Sequence, residues 1–539
     1  MATMLFLLLL VLLENSHQET VYIKYRSLTF IPDELVNPEV INLYAGNNDI
    51  VELDSIPKLP LLKYLNLDYN NLYAFPNLEN VSNTLETLYL KKNNISYIEM
   101  ERLDKLIHLT SLHLAYNSIS SIPDASGPAD TLFHLNLESN VFTVFPDWEV
   151  FGKSLKYLNL VENDLTEITE DMFRNITELT ELLLVNNKLR SDSFSLPGSL
   201  KLQVLLLSGN SLTEFPGVGN ITTLQNLNLE NNQLTNIPAE ILSKLTSLQT
   251  LNLAGNQMTV DGIPDVAGPN ETLTTLVLNN NPINEMPRWS TLAGALTSFS
   301  LTQTTVSELT DEDLDYYPVL KNLAISNSNI TEFPYLPRNG PRLLTLDLRK
   351  NIIERITVAQ LQPLQNLNEI ICTQNPLMNI PNLCFANFMP YFRLVLRYIP
   401  FPCDTKMIWA LGAKAAISSY KLDLSGSTCS HPPLLQGIKL QSQDALTKLM
   451  KNPFGATFNS REYYPVVPPF NCYFPIASME ATNGSLTCAI TCSQANSCLI
   501  FGYLPDVGDD LSSPGICAIT STSGIGLETN LHFKWFAPM

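Results

Sequence analysis

Leu62-Lys63-Tyr64-Leu65-Asn66-Leu67-Asp68-Tyr69-Asn70-Asn71-Leu72 is the stretch that decides the fold. Its skeleton is Leu-x-x-Leu-x-Leu-x-x-Asn-x-Leu, and it returns as Leu224, Leu227, Leu229, Asn232 and Leu234. Sixteen copies run between Val40 and Phe401. Their Asn position falls at Asn48, Asn70, Asn93, Asn117, Asn140, Asn163, Asn187, Asn210, Asn232, Asn256, Asn281, Thr304, Ser328, Asn351, Asn375 and Ile399, at spacings of 22 to 25 residues. A fixed period of this length predicts a stacked solenoid, because one repeat cannot bury its own leucines and needs neighbours above and below.

Each copy predicts one short strand. Alternation sends the fourth and sixth residues inward and the third, fifth, seventh and eighth outward. The Asn amide then satisfies backbone groups where the strand has stopped pairing. Thr304 and Ser328 keep a short hydroxyl there, and Ile399 keeps no polar group. A second apolar set, such as Ile168, Met172, Phe173, Ile176 and Leu179, or Ile237, Pro238, Ile241, Leu245 and Leu248, marks the opposite side of each turn. Those segments are short and broken by proline, which predicts 3₁₀ turns and few helices.

These repeats resemble those of extracellular leucine-rich-repeat proteins of animals. The resemblance implies an α/β leucine-rich-repeat solenoid, a right-handed horseshoe. About sixteen short parallel strands would line its concave side, with an irregular 3₁₀ convex side. Residues 40–401 are the repeats, and 19–39 resemble an N-terminal cap without its cysteines. The segment Ile399-Pro400-Phe401-Pro402-Cys403-Asp404-Thr405 with Trp409, then Cys429, Pro432, Leu435 and Gly437, resembles the family's cysteine-flanked C-terminal cap, assigned to 402–450. Thr405 stands where that cap has its second cysteine, so the resemblance implies a single bridge, Cys403–Cys429.

A proline-rich linker is expected over 451–471. Five of the nine cysteines then crowd between Cys472 and Cys517, which reads as a small disulfide-rich α+β domain over 472–539. The spacing of Cys488, Cys492, Cys498, Phe501, Tyr503 and Cys517 resembles PAN/apple modules. That resemblance implies the pairs Cys492–Cys498 and Cys488–Cys517 and leaves Cys472 without a family partner. Cys372 occupies an inward strand position; a buried free thiol and a local bridge to Cys384 are both open.

The apolar run Leu5–Leu13 is too short to span a bilayer and reads as the core of a signal peptide over 1–18. No later run reaches the length of a membrane helix, and the tail Leu531–Met539 is too short and polar for a lipid-anchor signal. A secreted, extracellular product is expected. Sequons at Asn80, Asn94, Asn175, Asn220, Asn270, Asn329 and Asn483 agree, and none falls on an outward strand position. The formal net charge of −20 argues against nucleic-acid binding, which needs a cationic footprint.

The outward positions change character along the chain. Tyr44, Tyr64, Tyr69, Tyr89, His113, Tyr116, His134 and Tyr157 come first, then Leu183, Val185, Val204 and Leu206. Tyr is enriched at interfaces and exposed apolar residues suggest contact, although Tyr is also a good strand former. We take Tyr64, Tyr69, Tyr89, His113, Tyr116, His134 and Tyr157 as the candidate ligand face. Pointing away from the leucine core, they are expected to add little stability. His113 and His134 with Glu138 offer a metal reading, but surface contact is favoured. Arg349, Lys350, Arg393 and Arg397 make a cationic end that either meets an acidic glycan or neutralises Asp347 and Glu369, the second being favoured. No nucleophile–base set and no cofactor or metal motif stands out, so an enzyme is not expected. The sequence thus points to a secreted recognition or adhesion protein with a protein ligand on its concave face. The alternative is an extracellular matrix or glycan-binding component using the C-terminal module.

Overall fold

The computed structural model describes residues 19–146, 148–364, 366–378, 393–402, 422–431, 436–437 and 439–440. It also describes four strands, Glu480–Thr482, Ser485–Thr487, Leu499–Phe501 and Ala518–Thr520. The expected signal peptide, the linker, Asn483, Cys384, Cys403 and all five cysteines of the C-terminal module lie outside the described residues.

The repeats form a leucine-rich-repeat solenoid of about sixteen turns with few helices. Two compact units divide it. The first runs to Thr304 and takes in Tyr316–Leu320; the second holds Thr305–Asp315 and the chain from Lys321. In the first unit the strands are β1 (Thr20–Tyr22), β2 (Asn42–Tyr44), β3 (Tyr64–Asn66), β4 (Thr87–Tyr89), β5 (Ser111–His113), β6 (His134–Asn136) and β7 (Tyr157–Asn159). They continue as β8 (Glu181–Leu183), β9 (Val204–Leu206), β10 (Asn226–Asn228), β11 (Thr250–Asn252), β12 (Thr275–Val277) and β13 (Ser298–Ser300). All pair in parallel with their sequence neighbours, and the middle residues align: Leu43, Leu65, Leu88, Leu112, Leu135 and Leu158 stand opposite one another without slippage. Each of those leucines is fully buried, so a one-residue slip would turn the whole row to solvent.

The Asn ladder works as a set of clips between turns. Asn163 donates through Nδ2 to Leu137 O at 3.0 Å and to Leu160 O at 3.2 Å, while its Oδ1 accepts from Phe142 N at 3.0 Å. Its amide therefore touches the turn before as well as its own. Where the ladder weakens, Thr304 donates to Leu301 O at 2.8 Å and Ser328 to Ser326 O at 3.2 Å. On the opposite side the backbone forms 3₁₀ turns and three short α-helices, α1 (Met100–Asp104), α2 (Ala239–Leu242) and α3 (Val358–Leu361). Aspartates brace that side. Asp265 accepts from the backbone N–H of Ser290, Thr291 and Leu292 at 2.7–2.8 Å, and Asp124 does the same for Glu149, Val150 and Phe151 at 2.7–3.0 Å.

The second unit continues the pattern with β14 (Asn322–Ala324), β15 (Thr345–Asp347), β16 (Glu369–Ile371) and β17 (Arg393–Val395). It goes on with β18 (Pro400–Pro402), β19 (Leu422–Asp423) and β20 (Thr428–His431). Ile399 interrupts the ladder, and Ser427, fully buried, replaces the missing amide. Its Oγ donates to Leu396 O at 2.7 Å and accepts from Ile399 N at 3.0 Å. Cys372 is buried and free, which decides against a bridge to Cys384. Burial and the nearby Asp347 push its thiol pKa far up. Cys429 is buried and disulfide-bonded, and it pairs across the ladder with Phe401, two residues before Cys403. Among the described residues no helix is long and apolar enough to cross a membrane.

Candidate functional site

In β1 to β13 the first and third residue of each strand point away from the leucine core, giving two outward rows on one face. Across β1 to β7 these rows carry aromatic rings on every strand, and the rings stack into one continuous ladder. Tyr22 meets Tyr44 at 4.7 Å between centroids, Tyr44 meets Tyr64 at 4.9 Å, and Tyr64 meets Tyr89 at 5.2 Å. Tyr89 lies flat on His113 at 4.0 Å and 4°, His113 meets His134 at 4.7 Å, and His134 lies flat on Tyr157 at 4.1 Å and 7°. The ladder changes rows at Tyr64, back at Tyr89 and again at His134, which is why no single position of the repeat displays it. Six inter-strand steps make it roughly 29 Å long.

Stacking half-buries these rings and sets their chemistry. Burial, with His134 alongside, holds the His113 pKa down to about 4, and burial lowers that of His134 as well. Both are neutral at pH 7. His113 Nε2 bonds Ser111 Oγ at 2.9 Å, whereas the buried Nδ1 of His134 has no hydrogen-bond partner. Burial raises the pKa of Tyr64 and of Tyr157, so their hydroxyls stay protonated. Because the rings from Tyr44 to His134 each have a neighbour on both sides, stacked or tilted, the ladder offers solvent mainly its edges, phenol hydroxyls and imidazole, with Tyr22 exposed at its end.

Five of the seven candidate residues, Tyr64, Tyr89, His113, His134 and Tyr157, join this ladder. Tyr69 and Tyr116 do not. Each occupies the turn just before a ladder asparagine, with φ of 56° and 57°, and both are exposed. Lys92 Nζ stands 5.0 Å from the Tyr69 ring and 5.3 Å from the Tyr116 ring, and Lys91 Nζ lies 4.9 Å from Tyr116. Tyr22 extends the ladder by one strand beyond the sequence expectation. Its signal was a Tyr one period before Tyr44, within residues assigned to a cap. Beyond β7 the same face turns apolar at Leu183, Val204 and Leu206, then amide- and hydroxyl-rich from Asn226 to Ser300. Over the two rows of all thirteen strands, Glu181 is the one formally charged side chain.

The cationic end in the second unit is neutralised internally. Arg349 pairs with Asp347 through Nε at 2.7 Å, and Arg393 bonds Glu369 at 3.0 Å and Asp423 at 2.7 Å. Arg397 bonds Asp423 at 2.8 Å. Asp423, absent from the sequence expectation, is the acid these arginines share. The sequons at Asn80, Asn94, Asn175, Asn220, Asn270 and Asn329 all lie off the strands. Among the described residues no group of three or more His, Cys, Asp or Glu side chains is placed to hold a metal ion.

Residues 83–142 and 141–189 match a family model described as leucine rich repeat, and residues 222–265 match one described as two copies of leucine rich repeats. Over 240 residues the chain is 30% identical to lumican of Coturnix japonica, covering 43% of this chain and 67% of lumican. Over 197 residues it is 28% identical to osteomodulin of Rattus norvegicus, covering 36% of this chain and 46% of osteomodulin. The chain thus spans about half the length of that relative. A leucine-rich-repeat protein of Leptospira interrogans has a similar structure, with a TM-score of 0.58 at 27% identity over 68% of this chain and 93% of its own.

Proposed function

Because the chain belongs to the leucine-rich-repeat family, we propose that it is an extracellular recognition protein that holds a protein ligand along the outward face of β1 to β13. The observation that carries this reading is the aromatic ladder from Tyr22 to Tyr157, set in two strand rows whose one formal charge is Glu181. Interface centres are depleted in charge and enriched in aromatic side chains. Twenty-six strand positions with one formal charge are unexpected on a protein of net charge −20 unless something covers them.

Ring geometry favours a polypeptide over a sugar. Stacking a sugar needs an open aromatic face, and here the faces are spent on one another. Hydroxyl and imidazole edges instead suit the carbonyl and N–H groups of a peptide backbone. The signal-like run Leu5–Leu13 and the sequons support an extracellular setting. Glycans on the six described sequons would leave this face bare. The alternative, glycan binding by the C-terminal cysteine module, draws no support from the described residues.

The test is a screen of the full chain against an array of secreted proteins and ectodomains, with hits re-measured on Tyr89→Ala, His134→Ala and Tyr157→Ala. Each variant should weaken a true ligand by about thirtyfold, the equivalent of about 2 kcal/mol. Hits that ignore all three substitutions and vanish on changing Arg349 and Lys350 to Ala would overturn the reading.

A further inference from the structure

Several cations of the first unit are tied to carboxylates. Lys63 pairs with Glu86 at 2.7 Å, Lys153 with Asp130 at 2.9 Å, Lys188 with Asp164 at 2.6 Å and Lys201 with Glu178 at 2.8 Å. Lys24, Lys91 and Lys92 are different. Among the described residues no carboxylate forms an ion pair with any of them, and all three lie over tyrosine rings: Lys24 Nζ is 4.7 Å from the Tyr44 ring, and Lys91 and Lys92 cover Tyr116 and Tyr69. Asp68 interacts electrostatically with Lys91 and Lys24 but makes no ion-pair contact with either ammonium. It accepts from Lys91 N at 2.7 Å and from Asn66 Nδ2 at 3.1 Å, so backbone and amide use its oxygens.

These lysines lie just past the strand ends, along one edge of the ladder. Lys24 follows β1 and Lys91 follows β4, three inter-strand steps or roughly 14 Å apart. A ring holds an ammonium from one side and leaves its remaining N–H groups for an anion on the other. Asp68 stands between Lys24 and Lys91 in the same register and interacts with both, so three lysines against one carboxylate leave this edge net positive on a protein of net charge −20.

Resting on the recognition reading above, we propose that this edge selects an acidic polypeptide: an extended segment lies along the ladder, and its carboxylate side chains seat on Lys24 and on the Lys91–Lys92 pair. A peptide advancing about 3.3 Å per residue covers the gap in about four residues, so the ligand carries acidic residues at about that spacing. Charge complementarity argues for the acid, and the hydroxyl-edged, charge-free ladder beside it argues for a peptide backbone over a sulfated saccharide.

Two fluorescein-labelled peptides of about twelve residues test this, one of Gly, Ser, Thr and Tyr with two Glu four positions apart, the other with Gln in their place. Anisotropy is read on the full chain at about 0.1 M salt, where the screening length of about 10 Å damps the long-range repulsion of the protein's net charge. The Glu peptide should bind at least about fivefold tighter, and Lys24→Gln or Lys91→Gln with Lys92→Gln should erase that preference. Lys153→Gln and Lys201→Gln, whose parents are ion-paired, should leave it unchanged. Equal affinity for the two peptides, a preference that survives the lysine changes, or tighter binding of a heparin-derived oligosaccharide through the same lysines would overturn the proposal. Equal binding of both peptides that is lost on Tyr89→Ala would sink the acid selection and leave the ladder as a peptide site.

Discussion

At the scale of single residues, position in the repeat decides what a polar side chain is worth. The Asn163 amide makes three buried bonds, and alanine there strips the Phe142 N–H of its acceptor and removes one of the two amide donors from Leu137 O and from Leu160 O. Asn163→Ala should cost about 1–3 kcal/mol, and Ser328→Ala, at a rung that offers a hydroxyl, clearly less. Equal melting shifts for the two would refute the clip argument. The histidine pair makes a prediction of its own. Burial holds both imidazoles neutral in the fold, while the unfolded chain takes up protons at the ordinary His pKa of about 6.5. Protonation therefore favours unfolding: this contribution is fully present above about pH 6.5 and is lost as pH falls toward about 4. Replacing His113 and His134 by Gln should flatten the decline of melting temperature across that window. An unchanged pH profile would mean that the rings are not desolvated. Cys372, fully buried, should resist alkylation until the chain unfolds.

At the scale of elements, the structure corrects the expectation that the outward aromatics add little stability. Tyr89 is clasped between Tyr64 and His113 and half-buried by them, so it packs although it points away from the leucines. Aromatic pairs are worth about 0.5–1.5 kcal/mol beyond area burial, and Tyr89→Ala breaks two. A loss of about 1–2 kcal/mol is expected on thermal or urea unfolding, against a smaller loss for Tyr69→Ala, whose ring is exposed on a turn. Binding measurements on Tyr89→Ala therefore need a melting control. The end of the repeats offers a second test. With Cys429 disulfide-bonded and paired to Phe401, Cys403 is the partner we expect, closing a loop worth about 3–4 kcal/mol by chain entropy. Non-reducing peptide mapping should recover Cys403 and Cys429 in one fragment; recovery of Cys429 with any other cysteine would refute the pairing.

At the scale of the molecule, the distribution of charge matters more than its sum. The first unit keeps its two outward rows almost uncharged, while the corresponding positions of the second carry Asp347, Glu369, Arg393 and Asp423 tied into ion pairs. Arg349 is already paired with Asp347 and lies in the other unit from the ladder, so changing Arg349 and Lys350 to Ala should leave ligand affinity within about twofold, whereas the ladder substitutions should not.

The sequence by itself determined the repeat, its period, the inward leucines and the asparagine clips, because a register of identical turns leaves each side chain a single role. It also placed Tyr64, Tyr89, His113, His134 and Tyr157 on the outward face. What it could not show was that they touch. Contacts between turns join residues more than twenty positions apart, and the ladder changes row at Tyr64, Tyr89 and His134, so no one position of the motif carries its signature. Tertiary structure alone separated Tyr69 and Tyr116 from the ladder, because a positive φ turns them onto the rim. It added Tyr22 from what read as a cap, substituted Ser427 for a missing amide, and gave the arginines their partner in Asp423. Each of these depends on which side chain the neighbouring turn brings within a few ångströms, and a one-dimensional period does not contain that distance.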